Sequence, residues 1–232
     1  MRDNRSMTID TVIKIGGSLS AGGNLHPLMQ TVATLAHDHN LLVVPGGGGF
    51  ADTIRYYYRK YRLSEITSHH MAILAMDQFG LLLHDITPHS QAVRTISEAR
   101  QALAHKQLPI LLPSTLLFNL DPLPHSWSVT SDSLAAYITR ILKAHRLILI
   151  KDVDGILSLD PHRLRTSEEK QILPVLLRSV SISDLHQYKC VDSYFSKALE
   201  GISECWILNG NHPERLTQLL EQGQALGTQI RF

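Results

Sequence analysis

This sequence contains little cysteine, almost no net charge and no long apolar run. Its two cysteines, Cys190 and Cys205, are too few for a disulfide framework and do not have the spacing of metal ligands. A net charge of +1 gives no overall attraction to nucleic acid or to a membrane surface. No apolar run approaches the ~18 residues of a membrane-spanning helix, and the N-terminus lacks the apolar core of a signal peptide. We therefore expect a cytoplasmic protein without a nucleic-acid or membrane partner.

The remaining composition is that of a folded domain with a sizeable core. The chain has 232 residues, of which 44% are hydrophobic and 19% are charged, and both values are ordinary for a globular protein. This length fits one large domain. Because no internal repeat, low-complexity segment or linker divides the sequence, we predict a single domain over residues 1–232.

Strand-like apolar runs alternate with helix-period segments along the chain, which is typical of an α/β sandwich with a mainly parallel sheet. The predicted strands are 11–15, 41–44, 109–112, 146–151, 205–208 and 228–232. The predicted helices are 25–36, 51–61, 64–84, 91–105, 131–142, 192–202 and a segment after Pro213. Residues 152–175 are polar and charged, and they are expected to form an excursion with little core.

Two glycine clusters follow apolar runs within the first fifty residues. The first run ends in Gly16 and Gly17, and the second ends in the four glycines at 46–49. Each pattern is typical of a buried strand that leads into a turn with bared backbone N–H groups, which bind anions. Two such turns on neighbouring parallel strands would hold two phosphate-bearing molecules face to face. The pattern therefore indicates phosphoryl transfer, with a pair of merely flexible turns as the alternative.

Three further features are ambiguous when taken alone. Lys14 would supply a point charge for a phosphate if it lies at the end of its strand, or it is a surface lysine on an edge strand. Asp132 stands at a predicted helix start, either as a functional carboxylate or as part of a simple cap. DVDG at 152–155 lacks the other calcium ligands, so it either binds a nucleotide or only forms a turn. The thirteen histidines show no metal spacing, and no metal site is predicted.

Taken in order, six segments resemble the amino acid kinase family and span almost the whole chain. They are IKIGGS, VVPGGGGFAD, SVTSDSLAAYI, ILIKDVDGI, VDSYFSKAL and the closing ILNG with its later GT. The resemblance implies a three-layer αβα sandwich with a mainly parallel open sheet of about eight strands. It also implies an ATP-dependent kinase that uses Mg²⁺ and forms a homo-oligomer. The acceptor would bind to the N-terminal half, about 8–125, and MgATP to the C-terminal half, about 126–232.

The same resemblance implies roles for individual positions. Lys14 would hold the transferring phosphoryl group, Asp132 would orient the active-site lysines, and Lys197 would be the second lysine. In most members a glycine pair precedes that second lysine, whereas this chain has Ser193 and Tyr194 there. The other implied positions are phosphate-binding Gly16, Gly17, Ser18, Gly46, Gly47, Gly48 and Gly49, and nucleotide-binding Lys151, Asp152, Asp154 and Gly155.

Within the family, PGGGGFAD, HHMAILAMDQFG and PLPHSWSVTSDSLAAYI are most similar to one branch. That branch phosphorylates [5-(aminomethyl)furan-3-yl]methyl phosphate to its diphosphate in methanofuran biosynthesis. Isopentenyl phosphate kinases have HGGGSFGH in the second glycine loop, where this chain has Pro45 and Asp52 at the two histidine positions. An acidic residue there suits an acceptor that carries an ammonium group. The predicted acceptor-binding residues are Asp52, His69, His70 and Trp127.

A phosphomonoester acceptor would need no strong general base, since its second pKa near ~6 leaves it mostly dianionic at neutral pH. Catalysis would then depend on positioning and on neutralisation of charge. Two alternatives stay open. One is a kinase of the same fold that acts on UMP, isopentenyl phosphate or an acylated amino acid. The other is a non-catalytic protein that binds a nucleotide or an oxyanion.

Overall fold

One sheet of eight strands runs through the computed structural model, which describes residues 8–121, 123–158 and 174–232. The strands are β1 (Thr11–Ile15), β2 (Leu41–Pro45), β3 (Ser90–Val93), β4 (Leu108–Leu111), β5 (Arg146–Lys151), β6 (Ser179–Ser181), β7 (Glu204–Asn209) and β8 (Thr228–Arg231). Their order across the sheet is β3-β4-β2-β1-β5-β7-β8-β6. Neighbouring strands are parallel except for the antiparallel pair β7 and β8. The predicted mainly parallel sheet is confirmed.

Helices cover both faces of this sheet. They are α1 (Leu25–Leu35), α2 (Gly48–Tyr61), α3 (Glu65–Asp85), α4 (Ile96–Ala104), α5 (Ser114–Leu120), α6 (Ser131–Leu142), α7 (Phe195–Ala198) and α8 (Glu214–Gln222), with 3₁₀ helices at Gly17–Ala21 and Ile182–Gln187. Helices α1 and α8 pack on one face, α4, α6 and α7 on the other, and the long α3 contributes to both. No helix in the part of the chain that the structure describes is long and apolar enough to cross a membrane.

The central strands are mainly apolar because both of their faces are buried. In β1, Val12 packs into the core on one face, whereas Ile13 and Ile15 pack into the core on the other. Parallel strands covered by helices on both sides have this continuous apolar character. Lys14 alternates with Ile13 and Ile15 and therefore points to the same face as Val12, the face that carries α6.

The chain reverses its direction of travel across the sheet at β1, and this places the site. β1 pairs with β2 on one side and with β5 on the other, so that Ile15 lies level with both Pro45 and Ile150. The carboxyl ends of these three parallel strands therefore meet at one edge. Such a switch point is where ligands bind in open α/β sheets.

Several predicted elements need correction. Residues 91–105, predicted as one helix, instead form β3 and then α4. The change of structure occurs at Thr95, whose side chain accepts a hydrogen bond from the Glu98 N–H at 3.1 Å and starts the helix. The helix predicted at 192–202 shrinks to the single turn of α7, and α5 and β6 were not predicted. Most of the excursion predicted at 152–175, namely 159–173, lies outside the described residues. Leu157 and Leu176, one on each side of this gap, form an isolated antiparallel bridge.

Candidate active site

The two glycine loops come together at the carboxyl ends of β1 and β2. A Cβ atom on Gly17 would lie 2.2 Å from the backbone nitrogen of Gly48, and one on Gly46 would lie 3.0 Å from that of Gly17. Only residues without a side chain allow this approach of one backbone to another. The N–H groups of Gly16 and Gly46 donate to carbonyls of β5 and β1 at 2.8 Å, so these two amides hold the loops in place.

The second loop leads directly into α2, which begins at Gly48. The N–H groups in the first turn of a helix, here those of Gly48, Gly49 and Phe50, have no acceptor within the helix. They form the positive end of its dipole, which attracts anions. Gly49 is exposed, and a Cβ atom there would have nothing within 4 Å, so packing does not require this glycine. Ser18 is exposed in the 3₁₀ helix that follows the first loop.

Two lysines share one buried carboxylate beside these loops. The Nζ atom of Lys14 lies 2.7 Å from Oδ1 of Asp132, and the Nζ atom of Lys151 lies 2.7 Å from Oδ2. Lys14 is 5% exposed and Asp132 3%. The three side chains come from the ends of β1 and β5 and the first turn of α6. When both lysines are protonated, this triad carries one more positive than negative charge.

Burial and proximity act against each other within this triad. Burial lowers the pKa of Lys14 below its ordinary value, although Asp132 works in the opposite direction. Burial also acts to lower the pKa of Lys151. There the effect of the Asp132 carboxylate is larger than that of burial, so the pKa of Lys151 is raised. Burial alone would raise the pKa of Asp132, yet the two ammonium groups lower it to about 2. An anion placed beside the triad would relieve the surplus of positive charge.

A second carboxylate, which the sequence analysis missed, holds the start of α6. One carboxylate oxygen of Asp192 accepts three hydrogen bonds: from the Thr130 N–H at 3.0 Å, from the Thr130 hydroxyl at 2.7 Å and from the Ser133 N–H at 3.1 Å. The other carboxylate oxygen accepts from the Ser133 hydroxyl. These bonds fix the turn that carries Asp132, and Thr130 is the N-cap of α6. Asp192 lies within VDSYFSKAL, so the family motif was the signal that could have identified it.

A cavity opens next to the second glycine loop, between α2, α3 and the start of α6. Its cavity volume is about 50 Å³, and it continues into open solvent at its mouth. One end carries Gly47 and Ser131, and the walls include apolar Ile73 and Met76. The ionisable side chains in the lining are those of Arg55, Glu65 and His69. Burial is the main cause that lowers the pKa of His69 to about 4, so its imidazole is neutral at neutral pH.

The predicted acceptor residues divide between this cavity and its surroundings. His69 and Trp127 line the cavity, whereas Asp52 and His70 are not among its lining residues. The side chain of Asp52 is 73% exposed and pairs with Arg55 at 2.6 Å. Glu65 supplies the acidic group in the wall, a residue that the sequence analysis did not select. The buried indole N–H of Trp127 has no acceptor within the described part of the protein.

The predicted nucleotide residues lie at the end of β5. Asp152 is exposed, whereas Asp154 accepts from Asn209 at 3.0 Å and from the guanidinium of Arg215. Those two hydrogen bonds lower the pKa of Asp154. Gly155 has φ of +142°, and a Cβ atom there would lie 2.4 Å from Oγ1 of Thr228. Asp154 and Gly155 thus tie this turn to β7, α8 and β8.

Lys197 is in a different setting from the other two lysines. It is exposed on α7, and its Nζ atom lies 5.8 Å from the centre of the Tyr194 ring. Both oxygens of Asp132 are taken by Lys14 and Lys151. The carboxylate predicted to orient the active-site lysines therefore holds Lys151 in place of Lys197. The level pairing of Ile15 with Ile150, which sequence reading alone did not provide, brings Lys151 there.

The lowered pKa of Asp132 predicts a specific loss of stability in acid. Its ordinary value is 3.8 and its folded value about 2, so the unfolded chain takes up a proton first as the pH falls. The contribution of ionised Asp132 to the free energy of unfolding is therefore fully present above pH 3.8 and is lost as the pH falls toward about 2. The expected loss is about 2 kcal/mol, measured by urea denaturation across this window. Asp132→Asn should remove this part of the pH dependence; an unchanged slope in that variant would contradict the assignment.

Comparison with known proteins identifies relatives over nearly the whole chain. The sequence model of the amino acid kinase family matches residues 11–173. The [5-(aminomethyl)furan-3-yl]methyl phosphate kinase of Methanocaldococcus jannaschii is 32% identical over 222 residues, which cover 94% of this chain and 96% of the relative. Uridylate kinase from Archaeoglobus fulgidus has a similar structure, with a TM-score of 0.72 and 20% identity over 96% of this chain and all of that one. T. acidophilum isopentenyl phosphate kinase gives a TM-score of 0.62 at 20% identity, with the same two coverages.

Proposed function

The chain belongs to the amino acid kinase family, and from this premise we propose that it transfers the γ-phosphoryl group of ATP to a small phosphomonoester. The acceptor proposed is [5-(aminomethyl)furan-3-yl]methyl phosphate, which would become its diphosphate. One observation carries the phosphoryl transfer: two lysines share a single buried carboxylate beside two glycine loops that contact each other. The acceptor is supported by the relative from M. jannaschii, which covers almost the same length.

The proposed chemistry requires little beyond positioning and charge. A phosphomonoester is already a dianion at neutral pH, and the main obstacle to its attack on ATP is repulsion between the two anions. Lys14 and Lys151 would neutralise the oxygens of the transferring group, and the first-turn amides of α2 would bind phosphate beside them. Asp132 would keep the two ammonium groups at a constant separation. This assignment replaces Lys197 by Lys151 as the second cation.

The cavity beside the second loop is the proposed acceptor site. Its Gly47 end would receive the acceptor phosphate, and Ile73 and Met76 offer apolar surface for a flat ring. Glu65 would provide the carboxylate that binds the ammonium group, a role that the sequence analysis assigned to the exposed Asp52. A neutral His69 can hydrogen-bond the acceptor without adding charge.

The nucleotide would bind to the C-terminal half, at the ends of β5 and β7, with the acceptor bound mainly by the N-terminal half. Mg²⁺ would arrive on the phosphates of ATP and neutralise part of their charge. Both oxygens of Asp132 and of Asp192 already accept hydrogen bonds from protein groups. Neither carboxylate therefore fits a direct role as ligand, and ATP oxygens and water would complete the coordination of the ion.

The proposed function is tested by ADP release from MgATP with four acceptors. These are the furan phosphate, UMP, isopentenyl phosphate and acetylglutamate, each also assayed with Lys14→Ala. Turnover restricted to the furan phosphate and lost in the variant is the expected result. Turnover with one of the other acceptors would overturn the acceptor but keep the mechanism. Binding of ATP without turnover of any acceptor would favour a non-catalytic nucleotide-binding protein.

Glu65→Gln is expected to raise KM for the aminomethyl acceptor by about tenfold and to change kcat little. The variant loses a charge-assisted hydrogen bond to the ammonium group, but the exposure of Glu65 keeps the effect modest. The measurement is steady-state kinetics with the furan phosphate. Glu221→Gln, on the exposed side of α8, is the matched control and should leave KM unchanged. Equal KM values for wild type and Glu65→Gln would remove Glu65 from the acceptor site.

A further inference from the structure

Three potential metal ligands come together at one side of the acceptor cavity, outside its lining. His70 lies on α3, Asp121 ends α5, and His125 follows four residues later. Their ligand atoms all lie within 4.8 Å of one another. The Nε2 atom of His125 is 2.5 Å from Oδ1 of Asp121, and the rings of His70 and His125 meet edge to face with centres 5.1 Å apart. None of the three takes part in the proposed phosphoryl transfer.

The surroundings hold two of these side chains in place before any ion binds. The His70 ring also contacts the edge of Phe118 on α5, with ring centres 5.1 Å apart. The His125 ring stacks on His69, again with centres 5.1 Å apart. Both imidazoles are half-buried, whereas Asp121 is exposed and leaves the cluster open to solvent. Fewer rotamers therefore have to be lost on binding than for histidines on a free surface.

The chemistry of this set favours a particular class of ion. Imidazole nitrogens suit Zn²⁺ and its transition-metal neighbours, whereas Mg²⁺ and Ca²⁺ prefer oxygen alone. Two histidines and one carboxylate are a known kind of three-ligand zinc set, with water in the fourth position. With bonds of about 2.0–2.2 Å at tetrahedral angles, two ligand atoms lie roughly 3.4 Å apart. Binding would therefore separate His125 Nε2 from Asp121 Oδ1, which are now 2.5 Å apart, and bring the more distant ligand atoms of the cluster closer together.

We propose that His70, Asp121 and His125 bind one Zn²⁺ ion. The ion would tie α3 to the segment that follows α5, two elements that meet at the wall of the acceptor cavity. Trp127 lies two residues beyond His125, and His69 precedes His70, and both line that cavity. Bound zinc thus holds one wall of the cavity and stabilises the folded state, since the unfolded chain does not bring the three ligands together.

Zinc binding is tested on the untagged full chain, without nucleotide or acceptor. Equilibrium dialysis against Zn²⁺ followed by metal analysis is expected to give one ion per chain, and zinc should raise the thermal unfolding midpoint. His70→Gln and His125→Gln should each weaken binding by at least about tenfold, as measured by competition with a chromogenic chelator. Asp121→Asn should weaken it too, and asparagine tolerates the positive φ of 41° at this position.

Two controls separate this site from other metal-binding groups. His37→Gln removes an exposed histidine whose ring lies edge-on to that of His89, with ring centres 6.4 Å apart, and the variant should bind zinc as wild type does. The Co²⁺-substituted protein should lack the strong near-ultraviolet absorption of a thiolate ligand, which excludes Cys190. Less than one ion per chain, or an affinity for zinc equal to that of wild type in all three ligand variants, would overturn the proposal. Because no step uses ATP, this result is independent of the outcome for the proposed kinase activity.

Discussion

Lys14→Met is expected to lower kcat for phosphoryl transfer by about 10²–10³, equivalent to about 2.7–4 kcal/mol of transition-state stabilisation. Methionine keeps most of the volume of the buried stem and removes the ammonium group that faces the glycine loops. KM for ATP should change much less, since the Lys14 ammonium group would act mainly on the negative charge that develops on the transferring group in the transition state. Single-turnover kinetics would separate this chemical step from product release.

The other lysines make this prediction specific. Lys151→Met should show a loss of the same order, because Lys151 shares the Asp132 carboxylate at an equal distance of 2.7 Å. Lys197→Met should lose less than about tenfold, as expected for a contribution limited to an exposed charge. Lys60→Met, on the exposed surface of α2, is the inert control. A large loss for Lys197→Met with a small one for Lys151→Met would restore Lys197 as the second cation.

Asp132→Asn is expected to lower the free energy of unfolding by about 3–5 kcal/mol. The substitution keeps the shape of the side chain but leaves the ammonium groups of Lys14 and Lys151 buried without a compensating charge. The measurement is equilibrium urea denaturation at neutral pH. Added phosphate should recover part of the loss, because it binds the unpaired cations only in the folded state.

An exposed ion pair provides the comparison for this loss. The carboxylate of Asp52 pairs with Arg55 at 2.6 Å, but its side chain is 73% exposed. Asp52→Asn should therefore cost less than about 1 kcal/mol. If the two asparagine variants have equal stability, the buried triad contributes no more than a surface pair, and its proposed role as a charged site would lose its support.

The sequence was sufficient for those features that depend on neighbours along the chain. Strands β1, β2 and β5 were predicted because most of their residues are buried between the two helical layers and are apolar. The start of α6 was predicted at Asp132 from the polar residues around it, and its N-cap is Thr130, whose hydroxyl accepts from the N–H of Asp132. The glycine loops were predicted because a run of residues without side chains is unfavourable unless a close approach requires it. These local signals placed Lys14 and Asp132 at one edge of the sheet.

The features that the sequence did not provide have a common cause, since each concerns a partner that is distant in the sequence. β3 is a short strand whose pairing with β4 was not visible in a segment with helical character. Asp52 and Glu65 are both acidic and near the second loop, but only the packing of α2 against α3 puts Glu65 in the cavity wall. Similarly, the motif pattern favoured Lys197, whereas the register of β1 with β5 brings Lys151 to the carboxylate.

The sequence by itself determined the α/β layering, the family and the position of the two glycine loops, because periodicity, capping and glycine content are properties of contiguous residues. Only the tertiary structure decided which ionisable groups meet: Lys151 with Asp132, Glu65 with Arg55 and His69 in the cavity lining, and His70 with Asp121 and His125. Electrostatic interactions depend on distance in space and on burial, and neither can be read from separation along the chain. The histidines lacked metal spacing in the sequence for this same reason, since α3 and the end of α5 become neighbours only when the chain folds.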